Sequence, residues 1–126
     1  MVNRGDVIYV KCDENDTSMM KAGEIPKKRP LLVVSNDVGN MHSNVVLAVP
    51  MTTKQKAMYM PTHCVIGRGS TVLCEQIYTV PQDEIACVSW RASRYDMAIV
   101  DECLKASLGL LRCCTGDTCR PRARSA

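Results

Sequence analysis

Short apolar runs separated by polar breaks fill the chain as far as Trp90, and one amphipathic stretch follows. Val7-Ile8-Tyr9-Val10 is compact and apolar and predicts a first strand between Gly5 and Cys12. Asp13 to Lys28 is polar, contains Gly23 and Pro26, and has no period, so it reads as a long loop of the kind that often carries function. Leu31-Leu32-Val33-Val34, bounded by Pro30 and by Ser35-Asn36-Asp37, predicts a buried second strand from Pro30 to Asn36. Pro30 suits its first position, where a missing N–H costs little. Asp37 to Asn44 contains Gly39 and Asn40 and reads as a turn or short loop. Further strands are expected over Val45–Met51, Thr62–Ile66, Thr71–Cys74, Ile77–Val80 and Ile85–Trp90, with a turn at Gly67-Arg68-Gly69-Ser70 and a helical turn opened by Pro81. From Asp96 to about Arg112, Val100, Cys103, Leu104, Ser107, Leu108 and Leu111 recur on one helical face, with Asp96 as the expected N-cap and Gly109 as a weak point. Several short strands and one terminal helix point to a mainly β fold, a small, strongly bent sheet or barrel of six to seven strands.

Composition narrows this picture. The 126 residues make one ordinary domain, expected over 1–113, with a basic, Gly- and Pro-containing tail over 114–126 that is expected to fray. Phe is absent, so Val, Ile, Leu and Met must fill the core. No apolar run approaches the roughly 20 residues of a membrane helix, and Met1 to Asp6 lack a signal-peptide core, so a cytoplasmic protein without membrane association is expected. The net charge of +3 permits a nucleic-acid partner without requiring one; basic residues cluster at Lys27-Lys28-Arg29, at Lys54 and Lys56, and in the tail. The 8 cysteines include no C-x-x-C pair. Cys12, Cys64, Cys74 and Cys87 lie in apolar runs, where a thiol packs as a small hydrophobe. Cys113, Cys114 and Cys119 match no common zinc spacing.

Several reaction classes lack their motifs. There is no H-E-x-x-H, no P-loop and no G-x-S-x-G elbow. His42 falls in a loop, and strand alternation points His63 away from the core, so both read as surface residues rather than ligands. What remains is polar residues at strand ends: Arg29 before the second strand, Thr52 and Thr53 after the third, Glu75 and Gln76 after the fifth. Arg29 is a permanent cation held before an extended, proline-restricted bond. If these ends share one edge, a cation, hydroxyls, a carboxylate and an amide converge, a set suited to phosphodiester recognition. Periodicity alone favours reading them as ordinary loop polars.

Longer stretches carry a family likeness. Arg4-Gly5-Asp6-Val7-Ile8-Tyr9, Arg29 through Asp37, Val49-Pro50-Met51-Thr52-Thr53, Pro61-Thr62-His63, Val72 through Val80 and Val100 through Leu110 follow one another in the order and spacing of MazF/PemK-family toxins. The chain resembles that family from about residue 4 to 111. The resemblance implies an SH3-like (CcdB-like) barrel with a C-terminal helix, acting as a homodimer. It implies a sequence-selective endoribonuclease that cuts single-stranded RNA without metal or cofactor, a cognate antitoxin that blocks the RNA groove, and DNA binding by the toxin–antitoxin complex. Arg29 matches the family's catalytic arginine. Thr52 matches the catalytic threonine, and Thr53 is the choice if the register shifts by one. Asn36, Glu75 and Gln76 match positions that face RNA. Leu73-Cys74-Glu75 replaces the Arg-x-Asp of the Kid/PemK branch, so that branch's acid–base arrangement does not carry over. Gly23-Glu24 is the only echo of the family's Gly-x-Glu-Gln loop.

The implied reaction is attack by the RNA 2′-hydroxyl on the neighbouring phosphate, giving a 2′,3′-cyclic phosphate and a 5′-hydroxyl. Arg29 would stabilise the phosphorane and Thr52 would hold a phosphate oxygen, with Glu75 placed at substrate contact. Two alternatives share the fold: a gyrase-inhibiting toxin that cuts nothing, and a plain RNA-binding SH3-like module.

Overall fold

The computed structural model describes residues 1–11, 29–53 and 60–110. Strand β1 (Asp6–Val10) is followed by β2 (Pro30–Val33), helix α1 (Asp37–His42), β3 (Val45–Thr52), β4 (His63–Ile66), β5 (Ser70–Leu73), β6 (Tyr78–Pro81), a 3-10 turn (Gln82–Glu84), β7 (Ile85–Arg91) and helix α2 (Arg94–Leu108). The strands form one antiparallel seven-stranded sheet in the order β4-β5-β3-β2-β1-β7, with β6 also on β3. Each expected strand is present within a few residues of its expected bounds.

Strand β3 organises the sheet because it changes partner along its length. Val45 to Ala48 pair with β6, while Met51 and Thr52 pair with Val72 and Thr71 of β5. Pro50 lies at the changeover, where an absent N–H interrupts no ladder. Alternation on the central strands then defines two apolar layers. Leu31 and Val33 of β2, Val46 and Ala48 of β3, and Ile8 of β1 face one layer with Val2 and Val80. Leu32, Val49, Met51 and Val7 face the other, with Ile66 and Val72 and, from α2, Val100 and Cys103. Each fully buried aliphatic side chain contributes about 1.5–3 kcal/mol. This two-sided burial explains why β2 reads as a continuous apolar run rather than an alternating one.

The sheet is coiled but not closed, which refines the expected barrel: β4 and β7 end the strand path and do not pair. Side chains bridge the gap. Gly67, in the β4–β5 turn at φ +58, lies so close to Trp90 of β7 that a Cβ there would be 2.7 Å from the indole. The Gly67 amide also donates to Asp96 of α2 at 3.2 Å. The amino-terminal turn is fixed by charge: Arg4 pairs with Asp101 of α2 and donates to the Val34 carbonyl at 2.8 Å, and Arg91 pairs with Asp6 at 2.9 Å.

The structure corrects three local expectations. The segment after β2 is a short helix rather than a loop, capped by Asn36, whose side chain accepts from the Gly39 amide at 2.6 Å. Helix α2 begins two residues before Asp96: Ser93 is the N-cap, accepting from the Asp96 amide at 3.0 Å. A hydroxyl three residues before a carboxylate is the stronger cap pair. Gly109 does not weaken the helix; it ends it, at φ 72, with Leu110 and Gly109 amides donating to Lys105 and Ala106 carbonyls. The helix therefore stops short of Arg112, and Leu108, expected on the buried face, is 58% exposed.

Cys64, Cys74 and Cys103 are buried free thiols in the α2-side layer, as expected of small hydrophobes, whereas Cys87 is exposed on β7. Cys12, Cys113, Cys114 and Cys119, the 13–28 loop, Lys54 and Lys56, and the 114–126 tail lie outside the described residues. Among those described, no helix is long and apolar enough to cross a membrane.

Candidate active site

The β2–β3 ladder aligns Leu31 with Pro50, Leu32 with Val49 and Val33 with Ala48. Continuing that register two residues past Leu31 sets Arg29 opposite Thr52. Both are half-buried. By alternation both share the face of Leu31 and Ala48, away from α2. The strands thus bring together a guanidinium and a hydroxyl that are 23 positions apart in the chain. Thr71 of β5 lies beside Thr52 on its other flank. Thr53 is exposed and beyond the strand end.

A second polar group lies on the same side, built by the β4–β5 hairpin. Pairing of His63 with Leu73, and the Cys74 amide's bond to the Thr62 carbonyl at 2.9 Å, bring Thr62 and His63 level with the turn that follows β5. There the Glu75 carboxylate accepts from the Thr62 hydroxyl at 2.8 Å on one oxygen and meets His63 Nε2 at 2.9 Å on the other. Burial alone pushes the Glu75 carboxyl up; the bonds from His63, from its own backbone and from Thr62 outweigh it and hold the carboxyl below its ordinary range. The His63 side chain is only 7% exposed, so the expected surface residue is a covered one. Beside Glu75, Gln76 is exposed, and its side-chain oxygen accepts from the Tyr78 hydroxyl at 3.1 Å. Tyr78 packs on the same layer as Leu31 and is paired with Ala48, four residues back from Thr52, or about 13 Å along the strand.

Asn36 stands apart. It lies beyond the other end of β2, at the start of α1, with its carboxamide oxygen engaged as a helix cap. An open cavity of about 690 Å³ near it is lined by Met1, Asn40, Met41, Val45 and Gln82, none of them from the Arg29–Thr52 region.

Thr62, His63 and Tyr78 were missed as site residues in the sequence. For Thr62 and His63 the signal available was symmetry about the Gly67-Arg68-Gly69 turn: counting outward along both arms of the hairpin sets 62–63 against 73–74, next to Glu75. The buried thiols are poor nucleophiles. A hydrogen bond with Cys74, then burial, pushes the Cys64 thiol up, and burial beside Cys64 pushes Cys103 up to about 12. Among the described residues no group of three or more His, Cys, Asp or Glu side chains could hold a metal ion. A cation and a hydroxyl across one strand pair, flanked by an anchored carboxylate and an amide, can grip a phosphate and one neighbouring base.

Known proteins share this arrangement of chain and fold. Residues 3–108 match the family described as PemK-like, MazF-like toxin of type II toxin–antitoxin system. Endoribonuclease EndoA of Bacillus subtilis (strain 168) is 31% identical over 118 residues, covering 88% of this chain and 97% of that protein. A mycobacterial endoribonuclease solved in complex with its cognate antitoxin superposes with a TM-score of 0.71 at 25% identity, over 88% of this chain and 98% of that one. Another mycobacterial endoribonuclease superposes with a TM-score of 0.67 at 26% identity, over 86% and 92% of the two chains. With its strand order, its terminal helix and nearly its whole described length accounted for, this chain belongs to the PemK-like, MazF-like toxin family of type II toxin–antitoxin systems.

Proposed function

We propose that this chain is a sequence-selective endoribonuclease toxin that cuts single-stranded RNA in the cytoplasm through Arg29 and Thr52. The observation that carries the reading is the β2–β3 register, which sets those two side chains opposite each other on one face. Family membership and similarity to proteins named as endoribonucleases support the reaction class.

RNA supplies its own nucleophile. The 2′-hydroxyl lies next to the phosphate it attacks, so the protein must align it, stabilise the added negative charge and let the 5′-oxygen leave. Holding the phosphate between two strands makes the attack a well-oriented intramolecular step. Arg29 stabilises charge on the phosphorane, the contribution that is usually largest in such sites. Arginine does not readily give up its proton, so its role is electrostatic. Thr52 donates to a phosphate oxygen, and the register favours it over Thr53. Glu75 has both oxygens engaged by Thr62 and His63 and is held below the ordinary carboxyl range, which suits anchoring better than proton removal. Asn36, whose oxygen caps α1 beyond the far end of β2, would meet only a longer RNA strand. The products are a 2′,3′-cyclic phosphate and a 5′-hydroxyl, and no metal is required by this chemistry. The toxin acts as a homodimer restrained by a cognate antitoxin, a reading supported by the relative solved with its own antitoxin.

The test is single-stranded RNA cleavage in EDTA by the wild type, Arg29→Ala and Thr52→Ala. Cleavage by the wild type alone is expected. Full activity of Arg29→Ala, or loss of wild-type activity in EDTA, would overturn the reading. Inhibition of DNA supercoiling with intact RNA would mark a gyrase-directed toxin, and salt-dependent binding with intact RNA a binding module.

A further inference from the structure

Gln76 is exposed on the turn after β5, and its side chain is hydrogen-bonded there. A glutamine amide normally offers both an acceptor oxygen and two donor hydrogens. Here the oxygen is already engaged, because the Tyr78 hydroxyl donates to Gln76 Oε1 at 3.1 Å. The turn beneath it is pinned twice. The Gln76 amide donates to the Leu73 carbonyl at 3.2 Å, and the adjacent Glu75 carboxylate is tied to Thr62 and His63. Tyr78 is held in turn by packing on the apolar layer and by its pairing with Ala48. The bond turns the oxygen toward Tyr78 and the NH₂ group away from it, so the outward end of the side chain is a donor.

Tyr78, which holds that donor, packs on the face of the sheet that carries Arg29 and Thr52, and its strand partner Ala48 is four residues, or about 13 Å, from Thr52. Bases of a single strand can be splayed out and read on their edges. A donor discriminates between them by the exocyclic group it meets: uracil O4 and guanine O6 accept, whereas the amino groups of cytosine and adenine donate. We propose that Gln76, oriented by Tyr78, selects a keto base, uracil or guanine, at one position within two nucleotides of the cut. This inference rests on the endoribonuclease reading and deepens it by naming the chemistry of base choice.

The experiment uses the full-length protein and a pool of single-stranded RNAs randomised over ten nucleotides, with sequencing of the newly formed 5′-hydroxyl ends. The wild type is expected to enrich uracil plus guanine over adenine plus cytosine at one such position by about five- to a hundred-fold. Gln76→Glu replaces the outward donor with an acceptor and is expected to invert that enrichment at the same position. Tyr78→Phe releases the amide to rotate, and the ratio there is expected to fall below about two-fold. The ratio is internal to each reaction, so lower yield of folded protein does not change it. A wild-type profile with no keto preference near the cut overturns the proposal, as does an unchanged profile in both variants. A wild type that leaves every RNA intact overturns the nuclease reading itself, and this inference with it.

Discussion

At the α1 end of the β2–β3 ladder, Ser35, Asn36, Asn40 and Gln82 bond to the chain's own backbone; at the other end Arg29 and Thr52 face each other across two strands. The α1 end is closed on itself. Ser35 Oγ accepts from the Leu47 amide at 3.0 Å and donates to Asn40, whose amide donates to the Ser35 carbonyl at 3.0 Å. Gln82 donates to the Asn40 and Ser43 carbonyls at 2.7 and 2.8 Å. Asn40 is 1% exposed, and its polar atoms have partners inside the fold. The Arg29 end carries half-buried groups on a face shared with Glu75 and Gln76. Similar residue types therefore stand in different settings: one end converts polar side chains into structure, and the other gathers them on the face where we propose the phosphate binds.

The sharpest way to break this comparison is Arg29→Ala. Cleavage is expected to fall by about 10²–10³-fold, the usual cost of removing one preorganised charge-stabilising donor. A fall in stability without loss of rate would place Arg29 with the structural end. Thr52→Ala is expected to lose about ten- to a hundred-fold, and Thr53→Ala less than about three-fold, in the same RNA assay; equal effects would reject the strand register as the guide to the site. At the opposite end, Asn40→Ala should cost about 1–3 kcal/mol in denaturant unfolding, because it strips the Ser35 hydroxyl of its acceptor and the Ser35 carbonyl of its side-chain donor. Its rate per folded molecule should stay near that of the wild type.

The smallest expected effect concerns Glu75. Its folded carboxyl lies below the ordinary value of 4.5, so its bonds favour the ionised form. That stabilisation is present above the unfolded value and fades as the pH falls through the lower, folded one. Glu75→Gln should melt below the wild type at pH 7, and the gap should narrow as the pH is lowered past 4.5. A gap that is constant with pH would show that charge at Glu75 contributes nothing to the fold.

Much of the architecture was legible in the chain. Seven apolar runs became seven strands because each is bounded by turn residues and too short for a helix. Arg29-Pro30 and the Thr52-Thr53 pair were visible as strand-end polars for the same reason. Helix α1 was not, because its six residues hold Gly39 and two Asn-or-Asp positions and little period; it forms on the Asn36 cap and on contacts to β3. His63 was misjudged because alternation describes which face a residue takes, not whether something covers that face. The Glu75 carboxylate, twelve residues away, helps cover it.

Local sequence, through residue size, turn chemistry and the period of apolar positions, determined that this chain makes short strands and one capped helix. It also placed an arginine, a threonine pair and an acid–amide pair at strand ends. Tertiary structure decided which of those ends meet. Register depends on pairing between segments far apart in the chain, and a shift of one residue would turn Arg29 or Thr52 to the other face. The same long-range pairing set Tyr78, whose hydroxyl meets the Gln76 side chain, beside Ala48 of β3.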